Sequence, residues 1–247
     1  MPTADDLIGT WKVTGFQEWS KDGQAQHPIG KQPVGYAVFD KSGRIFIQLG
    51  RNPADASAEA AAAAFMCYFG TYSVSGETLN IAIETGNTAH DVASRETRTI
   101  TLDGERLTIG IPGQFGATLQ RLPDDAAETA LTGVWRVASF RRFAKDGTPN
   151  EPLGAPPAGY AVFDRTGRAY VQLGKAPGVG SAEDVAKSLM CYFGPCSIAA
   201  DVLSVVVESS NMKAYIGSTQ TRKFRIDGDT LTIGTPGEYQ AVATRVT

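Results

Sequence analysis

The chain has 247 residues, of which 42% are hydrophobic and 20% charged, and its formal net charge is −3. A chain of this length and apolar content can bury a large core, which excludes intrinsic disorder. The basic residues form no stripe, and no apolar stretch approaches the ~20 residues that span a bilayer. We therefore expect neither a nucleic-acid nor a membrane partner.

The first predicted elements are strands. An alternating run extends from Trp11 to Trp19, and a hairpin follows with strands Gly35–Phe39 and Arg44–Leu49 around the turn Asp40–Gly43. The next segment, Ser57–Phe65, is rich in alanine. It opens with a serine in the N-cap position and an early acidic residue, so it predicts a short helix.

Further strands follow the helix. Thr78–Glu84 alternates between apolar and polar residues, and Arg98–Leu102, Leu107–Ile109 and Gly116–Arg121 complete the set. About eight short strands with tight turns predict a closed antiparallel barrel, because closure leaves no exposed sheet edge.

The whole pattern occurs twice. MCYFG at Met66–Gly70 recurs at Met190–Gly194, 124 positions later, and GYAVFD at Gly35–Asp40 recurs at Gly159–Asp164. The same offset places the helix of the second half at Ser181–Leu189. It aligns the halves from end to end without a gap, which indicates a duplicated domain.

The two copies predict an all-β protein made of two tandem antiparallel barrels, each with one short inserted helix. Their bounds are 1–123 and 125–247, and the polar segment 122–130 between them is typical of a linker. Duplicated modules inherit self-complementary surfaces, so we expect the barrels to pack as an intrachain pseudo-dimer.

The amino terminus and the cysteines predict a cytoplasmic protein. Met1–Asp6 carries two acidic residues and no basic or apolar region, so we expect no secretory signal. The odd number of cysteines, three, indicates free thiols, and we expect Cys67 and Cys191 to be buried and unreactive. Neither His27 nor His90 has metal-ligand spacing and no nucleotide motif is present, so we expect no metal and no cofactor.

The ordered motifs of both halves resemble those of the bacterial and fungal lipocalin-like domain family. They are the G-x-W of Gly9–Trp11 and Gly133–Trp135, GYAVFDKSGR at 35–44, YFG at 68–70 and GSTQTRKF at 217–224. The first half departs from the last motif with VASRETRTI at 92–100, although it keeps Arg98. Family members often carry histidines in the strand after YFG. This chain has Ile81, Ala82, Val205 and Val206 there, so chemistry that depends on such a histidine is absent.

The resemblance also implies how each barrel is closed. A tryptophan plugs one end of a lipocalin barrel, and a basic residue of the last strand packs across it. These residues correspond to Trp11 with Arg121 and to Trp135 with Arg245. Cation–π stacking of this kind would seal the barrel floor and has a structural role.

Lipocalin-like barrels hold small apolar molecules, and the polar or aromatic residues of the inner strand faces are candidate contacts. The ten candidates for ligand binding are Tyr36, Phe46, Gln48, Tyr68, Arg98, Tyr160, Tyr170, Gln172, Tyr192 and Arg222. The sequence leaves open whether the Phe46 and Gln48 face lines the lumen or the outside. An inward Arg98 needs a partner, which is either Glu84 or a carboxylate of the ligand.

Five residues are candidates for acid–base chemistry. Glu84 and Glu208 end equivalent strands, and Tyr68 and Tyr192 follow the helices, where they act either as proton donors or as core aromatics. His90 precedes Asp91 in the first half only, which is consistent with a single working half.

Three functions therefore remain open. The favoured one is the binding of a small hydrophobic molecule that bears a carboxylate or a carbonyl, in one or both barrels. The second is a cofactor-free isomerase, cyclase or hydratase that uses a glutamate and a tyrosine in the cavity. The third is an interaction scaffold whose barrels are filled by their own side chains.

Overall fold

Two antiparallel sheets make up most of the computed structural model, which describes residues 1–247. In each sheet eight strands follow one another in chain order, and the first strand also pairs with the last, so each sheet closes into a barrel. The prediction of two tandem antiparallel barrels with few helices is therefore confirmed.

The first barrel is built from residues 9–121. Its strands are β1 Gly9–Trp19, β2 Ala25–Gln26, β3 Val34–Phe39, β4 Arg44–Gly50, β5 Met66–Ser75, β6 Thr78–Gly86, β7 Arg95–Asp103, β8 Arg106–Ile111 and β9 Phe115–Arg121. The two-residue β2 extends β1, and pairing of β1 with β9 closes the barrel.

The second barrel repeats this order over residues 133–245. Its strands are β10 Gly133–Phe143, β11 Pro149–Asn150, β12 Ala158–Phe163, β13 Arg168–Gly174, β14 Met190–Ala199, β15 Val202–Val206, β16 Ser209–Ser210, β17 Thr219–Asp227, β18 Thr230–Thr235 and β19 Tyr239–Arg245. Pairing of β10 with β19 closes it, and the short β16 pairs with β14 beyond the end of β15.

Three α-helices are present, and two of them are the predicted ones. Two single 3₁₀ turns, Pro53–Asp55 and Ala89–Asp91, lie in loops of the first barrel. Helix α2, Ala58–Ala63, is capped by the hydroxyl of Ser57, and α3, Ala182–Ser188, has a reciprocal capping box between Ser181 and Asp184. The sequence did not predict α1, the single turn Ala4–Leu7. None of the three helices has the length and apolar character that a membrane crossing needs.

Each barrel has an apolar core in its lumen. Successive residues of a strand point to opposite faces, and in β4 the face with Ile45, Ile47 and Leu49 points inward. These residues pack with the floor tryptophan Trp11 and with residues of β6 to β9. The equivalent core of the second barrel is built around Trp135.

A further core lies between the two barrels, on the outer faces of β3 to β5 and β12 to β14. Its aromatic contacts occur in equivalent pairs. Tyr36 meets Phe193 with ring centroids 5.2 Å apart, and Tyr160 meets Phe69 at 5.1 Å. The barrels therefore pack through equivalent surfaces related by a two-fold-like arrangement.

The duplicated MCYFG segment serves both cores at once. Tyr68 packs toward the lumen, whereas Cys67 and Phe69 face the other barrel. Gly70 lies so close to β6 that a Cβ atom there would overlap the carbonyl oxygen of Ala82, which explains the glycine. The twin, Gly194, has the same close approach to Val206.

The expectation of free thiols at Cys67 and Cys191 is wrong, because the structure joins the two sulfurs in a disulfide. The bond lies in the core between the barrels and closes a loop of 124 residues. The two cysteines are equivalent positions of the repeat, so the two-fold-like packing brings them face to face. Only Cys196 is a free thiol.

Candidate functional site

The floor of each barrel has the closure that the resemblance implied. The guanidinium carbon of Arg121 lies 4.1 Å from the ring centroid of Trp11, and Arg245 lies 4.1 Å from Trp135. The Trp11 indole donates to the carbonyl of Leu7 at 2.8 Å. Arg121 also donates to the carbonyls of Ile8 and Asp6, so it fixes the amino-terminal segment across the floor.

Above this floor the first barrel encloses a cavity of about 250 Å³, and 15 of its 19 lining residues are hydrophobic. Its wall is formed mainly by Val13, Ile45, Ile47, Leu49, Leu79 and Leu119. The volume lies slightly below the ~300 Å³ at which typical ligand pockets begin. The cavity therefore has the size and lining of a site for a small apolar molecule.

The polar groups of this cavity are gathered on a few lining residues, namely Glu18, Tyr68, Thr88, Asp91 and Arg98. The Tyr68 hydroxyl makes no hydrogen bond within the protein, since all the described bonds of this region join other groups. Burial raises the pKa of Tyr68 to about 12, against a smaller opposing effect of Arg98. Tyr68 is therefore a protonated donor with a free hydroxyl in an apolar cavity.

Arg98 has a protein partner, and that partner is Glu96 rather than Glu84. Its Nη1 donates to Glu96 Oε2 at 2.7 Å, and its guanidinium lies 5.1 Å from the ring centroid of Phe115. Burial is the largest single effect and raises the pKa of Glu96, but the hydrogen bonds and charges of Arg98 and His90 together outweigh it, so the pKa is lowered. Both side chains of the pair are therefore ionised, and their opposite charges cancel.

Asp91 brings a further acidic group to the cavity. Burial raises the pKa of its carboxyl, and the hydroxyl of Thr88 donates to that carboxylate at 2.6 Å. The neighbouring His90 lies outside the cavity. Its side chain is 79% exposed and its Nε2 lies 2.7 Å from Glu96 Oε1, so it faces solvent rather than a bound molecule.

The second barrel differs at the position of Asp91. Its equivalent, Tyr215, packs edge-on against Tyr192 with ring centroids 5.6 Å apart. The partly buried Phe224 stands where the first barrel has the buried Ile100, and it packs against the core. Arg222 donates to Gln220, the counterpart of Glu96, at 2.6 Å. At positions 215 and 224 the second barrel therefore carries larger side chains than the first.

Six of the ten predicted ligand contacts belong to the contact between the barrels, and of these six only Tyr36 also borders the cavity of the first barrel. Four of them, Tyr36, Phe46, Tyr160 and Tyr170, belong to the apolar core between the barrels. Gln48 Nε2 donates across to the carbonyl of Val171 at 3.3 Å, and Gln172 Nε2 donates to Ile47 at 2.8 Å. This answers the question that the sequence left open, because the Phe46 and Gln48 face is the contact with the other barrel.

The two candidate catalytic glutamates also lie at the contact between the barrels. Glu208 accepts from Arg168 at 2.6 Å and from the hydroxyl of Tyr36 in the other barrel at 3.3 Å. Glu84 accepts from the Tyr160 hydroxyl at 3.3 Å. Neither glutamate lines the cavity that contains Tyr68, so the structure does not bring together the predicted glutamate–tyrosine pair.

Three residues that shape the two lumens were not predicted from the sequence. They are Asp91 as a lining group, Glu96 as the partner of Arg98, and Tyr215. A signal for them was present. The segments 87–96 and 211–220 differ at most positions, with His90-Asp91 in one and Ala214-Tyr215 in the other. Only His90 was singled out from that difference, and it is the exposed member.

The chain is similar to a known domain family and, more weakly, to solved proteins of unknown function. The lipocalin-like domain family matches residues 8–118 and again residues 132–245. No curated protein matches the chain. Among solved structures, an uncharacterized protein from Bacteroides eggerthii is 15% identical, with a TM-score of 0.32, covering 47% of this chain and 100% of that one. A protein of unknown function from the DUF3598 family of Nostoc punctiforme is 12% identical, with a TM-score of 0.24, covering 100% of both chains.

The two family matches together cover most of the sequence, and each coincides with one of the closed barrels described above. The chain therefore belongs to the lipocalin-like domain family and contains the domain twice in tandem.

Proposed function

We propose that the first barrel binds a small hydrophobic molecule with a neutral polar end group, and that the second barrel is its structural partner. The observation that carries this proposal is the cavity of about 250 Å³ with the unpartnered Tyr68 hydroxyl in its wall. A bound molecule would displace water from this hydroxyl, and a ligand oxygen would replace the lost hydrogen bond.

The charges around the cavity favour a carbonyl or a hydroxyl over a carboxylate as the polar end of the ligand. Arg98 is already neutralised by Glu96 at 2.7 Å. The remaining charged groups of the lining, Glu18 and Asp91, are both acidic. A ligand carboxylate would meet repulsion there, whereas a neutral oxygen can accept from Tyr68 without it.

The second barrel supports the first through the contact between them. Helix α3 of the second barrel packs against the turn Ala89–Asp91 beside the cavity of the first. The second lumen carries Tyr215 and Phe224 in place of smaller residues, which fits a structural role. We therefore propose an intrachain pseudo-dimer with one ligand site.

An enzymatic function is the weaker alternative. Its candidate glutamates are engaged between the barrels, and the cavity offers a tyrosine held protonated and an acid, Asp91, that is hydrogen-bonded to Thr88. A scaffold with filled barrels fits the second half but not the cavity of the first.

The test is fluorescence titration with 1-aminoanthracene, a small neutral apolar dye, followed by displacement with three compounds of one carbon skeleton. These are a methyl ketone, the corresponding alcohol and the corresponding carboxylic acid. We expect the dye to bind and the ketone and alcohol to displace it better than the acid. Tyr68→Phe removes one hydrogen bond and should weaken ketone binding roughly threefold to tenfold.

The matched control is Tyr192→Phe, which makes the same change in the second barrel and should leave ketone binding unchanged. Equal effects of the two substitutions would contradict a site confined to the first barrel. Absence of dye binding to the unmodified protein would contradict the proposal itself.

A further inference from the structure

A second candidate site lies outside both lumens, in a surface groove where the two barrels meet. The groove has a volume of about 350 Å³ and is lined by β4 to β7 of the first barrel together with Pro177 of the second. Its charged lining residues are Arg44, Glu84 and Arg95. Arg136 of the second barrel reaches the same glutamate, with Nη2 3.7 Å from Glu84 Oε1.

The guanidinium groups of these three arginines make no hydrogen bond within the protein. Arg44 Nη1 lies 3.8 Å from Glu84 Oε2, and both this separation and that of Arg136 exceed hydrogen-bond length. The Arg44 side chain is only 19% exposed and stacks over the Tyr160 ring at 4.7 Å, so it is held in place without an acceptor. One carboxylate therefore faces two guanidinium groups, and Arg95 adds a third cation to the lining of the groove.

The equivalent position on the other side of the contact is different. There Arg168 is also 19% exposed, but it donates to Glu208 at 2.6 Å and forms a complete ion pair. The counterparts of Arg95 and Arg136 are Thr219 and Lys12, so that side has fewer cations. The excess of arginines is thus a property of one groove and does not follow from the duplication.

A hydroxyl beside the groove also lacks a partner. Ser94 lines the groove next to Arg95, and its Oγ atom is buried and makes no hydrogen bond. The guanidinium groups at the surface of the groove are donors that match a tetrahedral oxyanion, because arginine forms planar two-point contacts to such groups.

We propose that this groove binds a phosphate or sulfate group through Arg44, Arg95 and Arg136. The anion would supply the acceptors that Glu84 alone does not, and it would bridge the two barrels, because Arg136 belongs to the second one. The group can arrive as a free inorganic ion or as the monoester of a small molecule, and the groove has room for either.

The experiment is isothermal titration calorimetry with inorganic phosphate and, separately, with phenyl phosphate, at an ionic strength held constant with sodium chloride. We expect phosphate to bind to the unmodified protein, and we expect Arg95→Gln and Arg136→Gln each to weaken that binding about tenfold. Arg225→Gln is the matched control, because Arg225 is 79% exposed and is paired with Asp227 away from the groove. That control should bind phosphate like the unmodified protein.

Tighter binding of phenyl phosphate than of phosphate would assign the site to a monoester, and equal or weaker binding would assign it to the free ion. Arg44→Gln is left out of the main comparison because it also removes the stacking on Tyr160. No heat of binding for either compound, or an equal loss in Arg225→Gln, would overturn the proposal.

Discussion

The rings of Tyr192 and Tyr215 lie 5.6 Å apart at an interplanar angle of 67° and pack in the core of the second barrel, whereas the first barrel has a cavity at the equivalent place. The equivalent residues there are Tyr68 and Asp91, which both line the cavity. One residue of the pair is unchanged between the halves and the other is replaced, so the difference between the two lumens centres on position 91 and its twin, 215.

Replacing the aromatic member of this pair should loosen the second barrel. Tyr215→Asp removes an edge-on ring contact and its buried area, and we expect a loss of about 1–3 kcal/mol in the free energy of unfolding. Tyr192 would then contact water, so its pKa, now raised by burial to about 12, should fall toward the ordinary value. Chemical denaturation and titration of tyrosinate absorbance measure the two effects. Tyr215→Phe keeps the ring and should change neither by much.

The floor of the first barrel should depend on Arg121. Arg121→Ala removes the stacking on Trp11 and the donors to the carbonyls of Ile8 and Asp6, and we expect a loss of roughly 2–3 kcal/mol from cation–π and hydrogen-bond contributions. Denaturation in urea measures it. Arg121→Lys should recover only part of the stability, because an ammonium cannot reproduce the two-point contact. Full recovery with lysine would contradict this account of the floor.

The two glutamates between the barrels should differ in their effect on stability. Glu208→Gln breaks a 2.6 Å ion pair with Arg168, and we expect a loss of about 1–3 kcal/mol. Glu84→Gln changes contacts of 3.7 and 3.8 Å and should cost less than about 1 kcal/mol. Differential scanning calorimetry of both variants checks the order. Dye binding to the first barrel should survive in both, and its loss in either would show that the glutamate acts at the ligand site after all.

The disulfide should be a large source of stability. Cys67→Ser combined with Cys191→Ser opens a loop of 124 residues, and we expect a loss of about 2–5 kcal/mol. Dithiothreitol should lower the denaturation midpoint of the unmodified protein and leave that of the double variant unchanged. Alkylation of the denatured, unreduced chain should label one thiol, Cys196. Three labelled thiols would mean that the pair is reduced in the protein as purified.

Stability should decline in alkaline solution. Burial raises the pKa values of Tyr68, Tyr72, Tyr160 and Tyr192 to about 12, from an ordinary value of 10.0. Between these pH values the folded chain keeps protons that the unfolded chain releases, so the free energy of unfolding falls as pH rises above about 10. Denaturant midpoints measured from neutral pH to about pH 11 should show this fall. A midpoint that stays constant over that range would contradict the burial of these hydroxyls.

Most of the fold could be predicted from the sequence because the motifs recur at one offset and each turn and cap has its own local signal. The sequence could not show which face of β4 lines the lumen, because both faces of that strand are buried. Ile45, Phe46, Ile47, Gln48 and Leu49 are all buried, since the strand has the lumen on one side and the other barrel on its other side. A strand covered on both faces loses the alternation that identifies an inner face.

The site was harder to predict than the fold. The sequence predicts Tyr68 and Arg98 as ligand contacts, whereas it presents Asp91 only as the neighbour of His90. Its importance depends on the comparison with Tyr215 in the other half. The sequence shows that the two residues differ, but it does not show that both lie in a barrel lumen. The Cys67–Cys191 disulfide could not be predicted from the sequence for a similar reason, because equivalent residues meet only where two copies pack around a two-fold-like axis.

Calorimetric titration with 1-aminoanthracene tests the central claim most directly, because it measures how many ligand sites one chain has. The unmodified protein should bind one molecule per chain, and Asp91→Tyr should bind none, since the tyrosine would occupy the first cavity as Tyr215 occupies the second lumen. Two molecules per chain, or unchanged binding by Asp91→Tyr, would contradict a single site in the first barrel.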